Sequence, residues 1–422
     1  MLSTMSKKAI VYAQSGGVTA VINASAAGVI RAARRQSLGP VWAARHGLAG
    51  LLDDQLIDTQ RFSDAEVNRL MQTPGGAFGS SRIKLPHPDE DEAPYQQLMG
   101  VVRARNIGAL LYNGGNDSAD TCLKIDQYAS RVGIDLQCIA IPKTIDNDLE
   151  GTDNSPGFGS AAKYVAVSTL EASLDVASMA ATSTKVFVLE VMGRHAGWLA
   201  AAAGLAQRAA GDAPQVILFP ERPLERDRVL AAIAQAVKDR GFCSVVVSEG
   251  VRDQSGRFLS ELGSKDAFGH AQLGGVAPMV AHWVRTELGF KPHWAVSDYL
   301  QRSARHIASQ TDLDQARAVG EAAVDLALDG QNGVLAGIVR EADDPYRWSV
   351  RPVPLDQVAN REKKMPRAFI SADGYAITEA CRRYLQPLIV GQAYPDYGAD
   401  GLPAYLQKIL TSVEKKLPAF EL

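Results

Sequence analysis

Along the first 250 residues, short apolar runs alternate with longer stretches in which apolar positions recur at helical spacing. The short runs are KKAIVYAQ, IGALLYNGG, LQCIAIP, TKVFVLEVMG, PQVILFPE and FCSVVVSEG. They are apolar almost throughout rather than at every second position, which marks strands buried on both faces of a parallel sheet. Between them, GFGSAAKYVAVSTLEASLDVASMAA and LERDRVLAAIAQAVKDRG read as helices. In the second, Val229, Ile233 and Val237 share a face and Gly241 is placed to end it. The order is βαβ, so an α/β chain is expected. Glycine, proline and small polar residues gather at GTDNSPGFG, where a boundary between two α/β halves is expected. Beyond residue 330 no clear sheet pattern is visible.

Composition narrows the function classes. A chain of 422 residues is too long for one compact core and suits two domains. With 46% hydrophobic residues, 22% charged residues and a net charge of -3, it has no basic surplus, which argues against nucleic acid as a partner. Cys122, Cys138, Cys243 and Cys381 are far apart and form no CxxC pair, so they read as reduced core residues of a cytosolic protein. The N-terminal MLSTMSKKAIVYAQSGG holds too short an apolar run for a signal peptide, and no later run approaches membrane-spanning length. A cytoplasmic location without membrane contact is expected.

In an open parallel sheet, ligands collect at the carboxyl ends of the strands, and the loops leaving these runs are chemically unusual. AQSGGVTAVINAS places Gly16 and Gly17 between a strand and a helix, where backbone N–H groups can approach an oxyanion; a bare turn is an equally good reading. YNGGNDSADT repeats the arrangement with Gly114 and Gly115, followed by Asn116, Asp117 and Ser118, which are also ordinary helix caps. GGAFGSSR adds a third glycine-rich loop, ending in Arg82. LQCIAIPKTIDNDLEG then crowds Lys143, Asp146 and Asp148 into six residues at a strand tip. Phosphoryl transfer to an alcohol needs a carboxylate to take the hydroxyl proton, metal to neutralise oxygens and fixed positive charge on the migrating group, and KTIDND offers all three. Two residues apart in an extended segment, Asp146 and Asp148 point the same way; an Asx-rich turn is the structural alternative. EVMGRHAGW contributes Met192, Gly193 and Arg194, SEG contributes Glu249, and HWAVSDYLQRSARHIA contributes His293, Tyr299, Arg302 and Arg305. From spacing alone, His293 reads equally well as a buried structural histidine.

In order and rough spacing, SGG, GGNDS, PKTIDND, MGR, SEG and DYLQR resemble the phosphofructokinase family, and within it the pyrophosphate-dependent branch, over roughly residues 8 to 330. TIDND with MGR is the specific part of the resemblance. It implies two Rossmann-like three-layer αβα domains with largely parallel sheets. Residues 1–157 would bind pyrophosphate and 158–301 fructose 6-phosphate, while 302–422 would complete both domains or form a subunit contact. The implied reaction is reversible phosphoryl transfer from pyrophosphate to the sugar 1-hydroxyl, with magnesium, in a homodimer or homotetramer. Carried over by position, Asp146 is the base, with Lys143 and Asp117 catalytic beside it. Gly16 and Arg82 fall on the donor side, and Thr144, Asp148, Met192, Gly193, Arg194, Glu249, Tyr299 and Arg302 on the sugar side. Lys185 and His293 correspond to positions that reach the sugar 6-phosphate from a neighbouring subunit. Asn116 stands where relatives commonly carry a magnesium-binding aspartate, so Asn116 and Asp117 are the metal candidates.

ATP-using relatives usually have glycine at the positions of Asp117 and Lys143. A carboxylate about 4 Å from a nucleotide phosphate costs on the order of 4 kcal/mol at an effective dielectric near 20, which disfavours ATP by roughly three decades. The competing readings are an ATP-dependent phosphofructokinase and a non-catalytic regulatory subunit of the same fold, with a dinucleotide-binding oxidoreductase behind them because neither glycine loop has that fingerprint.

Overall fold

The computed structural model describes residues 7–262, 275–407 and 410–420. Two compact units are resolved. Unit 1 runs to Gly157, resumes over Arg305–Glu362 and takes the chain again from Gly391; unit 2 is Phe158–Ala304 with Lys363–Val390.

Eleven strands are found in the described residues. In chain order they are β1 (Ala9–Gln14), β2 (Val41–Ala44), β3 (Leu56–Asp58), β4 (Ile107–Gly114), β5 (Gln137–Pro142), β6 (Val186–Val191), β7 (Val216–Leu218), β8 (Cys243–Ser248), β9 (Pro292–Val296), β10 (Val334–Asp343) and β11 (Tyr346–Pro354). Unit 1 holds a seven-stranded sheet in the order β11-β10-β5-β4-β1-β2-β3. Its centre is parallel, while β2–β3 and β10–β11 pair antiparallel. All six residues of β1 are buried because both faces are covered. Ala9, Val11 and Ala13 pack against the helices Ala93–Arg105 and Asn116–Arg131, whereas Ile10 and Tyr12 pack against Ile22–Arg35 and Gln310–Leu328. That is the expected three-layer αβα arrangement.

Unit 2 holds a four-stranded parallel sheet, β7-β8-β6-β9. Helices Arg226–Arg240 and Val276–Glu287 cover one face through Val229, Ile233, Val280 and Val284; each such fully buried side chain contributes about 1.5–3 kcal/mol. Phe158–Met179 and Trp198–Ala203 pack on the same strands from the other side. Gly241, at φ 82°, ends Arg226–Arg240 in the left-handed conformation expected of it.

One reading is corrected. The segment after 330, in which no sheet pattern is visible, forms the β10–β11 hairpin, and β10 extends the sheet of unit 1 beside β5. The pattern is hidden because β11, YRWSVRPVP, is an edge strand: it tolerates Pro352 and Pro354 and leaves most side chains partly exposed. All four cysteines are buried and free. Among the described residues, no helix is long and apolar enough to cross a membrane.

Candidate active site

In unit 1, four loops meet where β1, β4 and β5 end. Ser15 bridges Ser81, the Gly16 N–H donates to the Ser81 carbonyl at 2.9 Å, and the Ser80 hydroxyl donates to the Gly16 carbonyl at 2.8 Å. Ser118, at the start of Asn116–Arg131, donates to Ser15 Oγ at 2.8 Å. A side chain at Gly114 would collide with Ser118 Oγ, 2.0 Å from its Cβ. Gly16 takes φ 72°, a conformation that favours glycine. Four buried polar atoms without a hydrogen-bond partner belong to these loops and the residues beneath them: Gln14 Oε1, Thr19 Oγ1, Ser81 Oγ and Asn113 Oδ1. Unsatisfied polar atoms are rare in protein interiors, and they call for an explanation where they gather.

Lys143 joins these loops. Only 3% exposed, it donates from Nζ to the Gly17 carbonyl at 2.5 Å, and its backbone N–H donates to the Gly114 carbonyl at 3.1 Å. A fixed cation therefore lies directly beneath the first glycine loop. Past it, exposure alternates: Ile145, Asn147 and Leu149 are buried, while Thr144, Asp146 and Asp148 are partly exposed. Thr144 Oγ1 accepts the Asp146 N–H at 3.0 Å, and Thr144 bridges Gly157. Both aspartates are thus accessible, but the segment is not extended as expected: it bends at Ile145 and Asp146, and Asn147 takes φ 54°.

Three residues expected on the donor side differ in their surroundings. Asp117 is exposed and ion-paired with Lys84 at 3.3 Å. Because both partners lie in water, the isolated-charge figure for repelling a nucleotide is too large: the lysine offsets it and solvent screens it. Asn116 turns toward a different segment. Its carbonyl accepts the Asn360 N–H at 2.7 Å and its amide donates to the Arg361 carbonyl. Asn360 also donates to Asp120 at 2.8 Å, so this turn is fastened to the first turns of Asn116–Arg131. Arg82 is exposed at the end of its loop, directly after Ser81.

Unit 2 gathers a second group at the carboxyl ends of β6, β8 and β9. The Gly193 N–H donates to Glu249 Oε1 at 3.3 Å, and the Met192 N–H donates to Gln301 Oε1 at 3.2 Å. Gly193 sits at φ 128°, and a Cβ there would lie 2.6 Å from the Ala196 carbonyl. Arg302 stacks on Tyr299, 3.8 Å from the ring centre. Burial pushes the Glu249 carboxyl up from the usual glutamate range, and Asp298 adds to this; the Gly193 N–H and Arg194 oppose it. Arg194 lies 5.2 Å from the ring centre of Phe258, Arg252 lies 4.0 Å from it, and His195 meets the same ring edge-on. Arg252, His195 and Phe258 escape a reading of the sequence because only the aromatic ring joins them.

Lys185 and His293 are not part of this group. Lys185 precedes β6 and donates to the Ala180 carbonyl, and His293 pairs with Phe187 in register. Both stand at the amino ends of their strands, about 20 Å of strand from Met192.

Residues 9–326 match the phosphofructokinase family model. Pyrophosphate–fructose 6-phosphate 1-phosphotransferase of Xanthomonas campestris is 58% identical, covering 98% of this chain and 99% of its own; the Halomonas elongata protein of the same name is 57% identical, covering 97% and 98%. The crystal structure of pyrophosphate-dependent phosphofructokinase from Nitrosospira multiformis is similar with a TM-score of 0.91 at 54% identity, covering 98% of this chain and all of that one.

Proposed function

Because the chain belongs to the phosphofructokinase family, we propose that it transfers a phosphoryl group reversibly between pyrophosphate and the 1-hydroxyl of fructose 6-phosphate, yielding fructose 1,6-bisphosphate and phosphate. One observation carries the reading: the Lys143 ammonium is held under the Gly16–Gly17 loop, on the same strand-end segment as Asp146 and Asp148. The names of the full-length relatives point the same way.

Each residue then has a task. Gly16 and Arg82 hold the donor, the first through its backbone and the second through its guanidinium. Lys143 stabilises charge that develops as the P–O bond breaks, and its burial makes that charge count for more than it would in water. Asp146 accepts the proton of the sugar 1-hydroxyl. Arg194 and Arg302 bind sugar-phosphate oxygens, Glu249 accepts from sugar hydroxyls, and Met192, Gly193 and Tyr299 shape the contact; Thr144 and Asp148 are the remaining sugar-side residues.

The donor set suits magnesium, which keeps much of its water and needs only one or two carboxylates beside phosphate oxygens. Asp117 and Asp148 are accessible carboxylates, whereas the Asn116 carbonyl is already engaged by Asn360. When bound, the ion neutralises phosphate oxygens and so eases attack. Lys185 and His293 would serve the 6-phosphate site of a neighbouring subunit in a homodimer or homotetramer. This fits their separation from the carboxyl-end group and the edge position of β9, where Trp294 is 38% and Val296 39% exposed. Buried free cysteines agree with a cytoplasmic location.

The reverse reaction tests the proposal. Purified protein given fructose 1,6-bisphosphate, orthophosphate and magnesium should release fructose 6-phosphate and pyrophosphate with no nucleotide present. Failure to form pyrophosphate, while ADP in place of phosphate yields ATP, would favour the ATP-dependent alternative; sugar-phosphate binding without turnover would favour the regulatory one.

A further inference from the structure

Beneath the loop that carries Asp146 and Asp148 lies a layer of buried polar side chains to which the proposed reaction gives no task. Asn147, Asn154, Ser155 and Gln315 are 0% exposed, and Asp312 is 1% exposed. Asn147 stands between the two aspartates with φ 54°, in the left-handed region that costs most side chains about 1–2 kcal/mol and asparagine less. Its Oδ1 accepts the Ser155 N–H at 3.1 Å.

The segment around Ser155 is itself fixed. Asn154 donates to Gln315 Oε1 at 2.6 Å, the Thr152 hydroxyl donates to the Asn154 carbonyl at 2.8 Å, and the Gly157 N–H donates to Asp312 Oδ1 at 2.9 Å. Asp312 and Gln315 lie on Gln310–Leu328, which packs on both β5 and Ile22–Arg35. The anchor for Asn147 is thus a helix of the core rather than a free loop. Inward, the turn buries Ile145 at 6% and Leu149 at 0% exposure; outward, it leaves Asp146 and Asp148 accessible.

We propose that Asn147 is a positioning residue for phosphoryl transfer: its left-handed backbone, held by its side chain on the Ser155 N–H, sets Asp146 and Asp148 together on the accessible side of the loop. The inference rests on the reading above that Asp146 is the base, and deepens it by naming what aims that base. Asn147 touches neither the reacting atoms nor the donor. Its effect passes through the backbone that it shares with its neighbours.

Two variants of the full chain separate the parts of the pivot. Asn147→Gly keeps a residue at ease with positive φ but removes the anchor; Asn147→Ala removes the anchor and the conformational ease together. Both are compared with the unaltered chain for kcat, for KM of pyrophosphate and for melting temperature, in the same assay. The expected result is a kcat loss of about tenfold for Asn147→Gly and a larger loss for Asn147→Ala, with the pyrophosphate KM of Asn147→Gly within about twofold. A role in folding alone would lower the melting temperature and leave kcat per folded molecule untouched; that outcome, in Asn147→Gly by itself if Asn147→Ala does not fold, overturns the pivot. Loss of kcat together with a large rise in pyrophosphate KM overturns it too, since that would mark general damage to unit 1. If the unaltered chain turns over no donor, the functional reading falls and takes the pivot with it; an active parent with undiminished variants removes the pivot alone.

Discussion

Among single residues, Asp146 and Glu249 carry the proposed chemistry most directly. Asp146→Asn is nearly isosteric and removes the proposed proton acceptor. Its kcat should fall by about 10²–10⁴ with fructose 6-phosphate affinity nearly unchanged, as measured by initial rates and by calorimetric binding. Glu249 gives a pH signature. Burial raises its pKa, so it takes up a proton above the usual glutamate range, and the neutral carboxyl accepts less well from sugar hydroxyls. KM for fructose 6-phosphate should therefore rise as pH falls through that raised pKa, and Glu249→Gln should show no such acid limb while having a higher KM at neutral pH. Lys143, Asp146 and Asp148 could be picked out in the sequence because they are neighbours. Ser15 and Ser118, 103 positions apart, and Asn116 and Asn360, 244 apart, could not, because nothing local joins residues that only folding brings into contact.

Among elements, the glycine loops and the turn at Asn360 shape the proposed donor side. Asn116→Asp would put a carboxylate against the Arg361 carbonyl and remove the donor that holds it. The expected result is a loss of about 1 kcal/mol of stability and faster hydrogen exchange around residues 360–362, with no tighter magnesium dependence; a sharper magnesium titration would put that side chain on the metal instead. For nucleotide exclusion, the Lys84–Asp117 pair shifts the weight onto Lys143. Asp117→Gly alone should improve ATP affinity by less than tenfold, whereas Asp117→Gly with Lys143→Gly should relax rejection further and abolish pyrophosphate turnover. Steady-state inhibition by ATP measures the first effect and initial rates the second. Six strands were legible because they are apolar without interruption; β7 is among them although it stands at a sheet edge, since all its residues are buried. The β10–β11 hairpin was not, since an edge strand carries prolines and charges that read as loop.

Across the whole molecule, acid stability divides by the environment of the carboxylates. Asp54 is fully buried on Arg105, with contacts of 2.7 and 2.8 Å, and it also accepts from the Lys416 and Leu417 N–H groups. Burial alone would raise its pKa, but Arg105 and the backbone donors lower it on balance. Its contribution is therefore present above the ordinary aspartate range and lost as pH falls through the lowered pKa. In unit 2, Glu190, Glu221 and Glu249 behave in the opposite sense: burial raises each, so their charged forms weaken the fold at neutral pH, and mild acid relieves them. Stability should hold or rise on mild acidification and fall only below the ordinary aspartate range. Asp54→Ala should cost about 3–5 kcal/mol in urea unfolding at neutral pH, because it leaves Arg105 buried and unpaired, and should flatten the acid decline. The αβα architecture was readable from the βαβ order; the fastening of residues 415–420 to Asp53 and Asp54 was not, because a carboxylate beside a distant backbone N–H leaves no pattern along the chain.

The most direct test compares donors at equal magnesium. Initial rates of fructose 1,6-bisphosphate formation are measured with pyrophosphate and with ATP as the sole phosphoryl source. Pyrophosphate should support rapid product formation and ATP little or none; rapid formation with ATP and none with pyrophosphate would overturn the assignment of the donor.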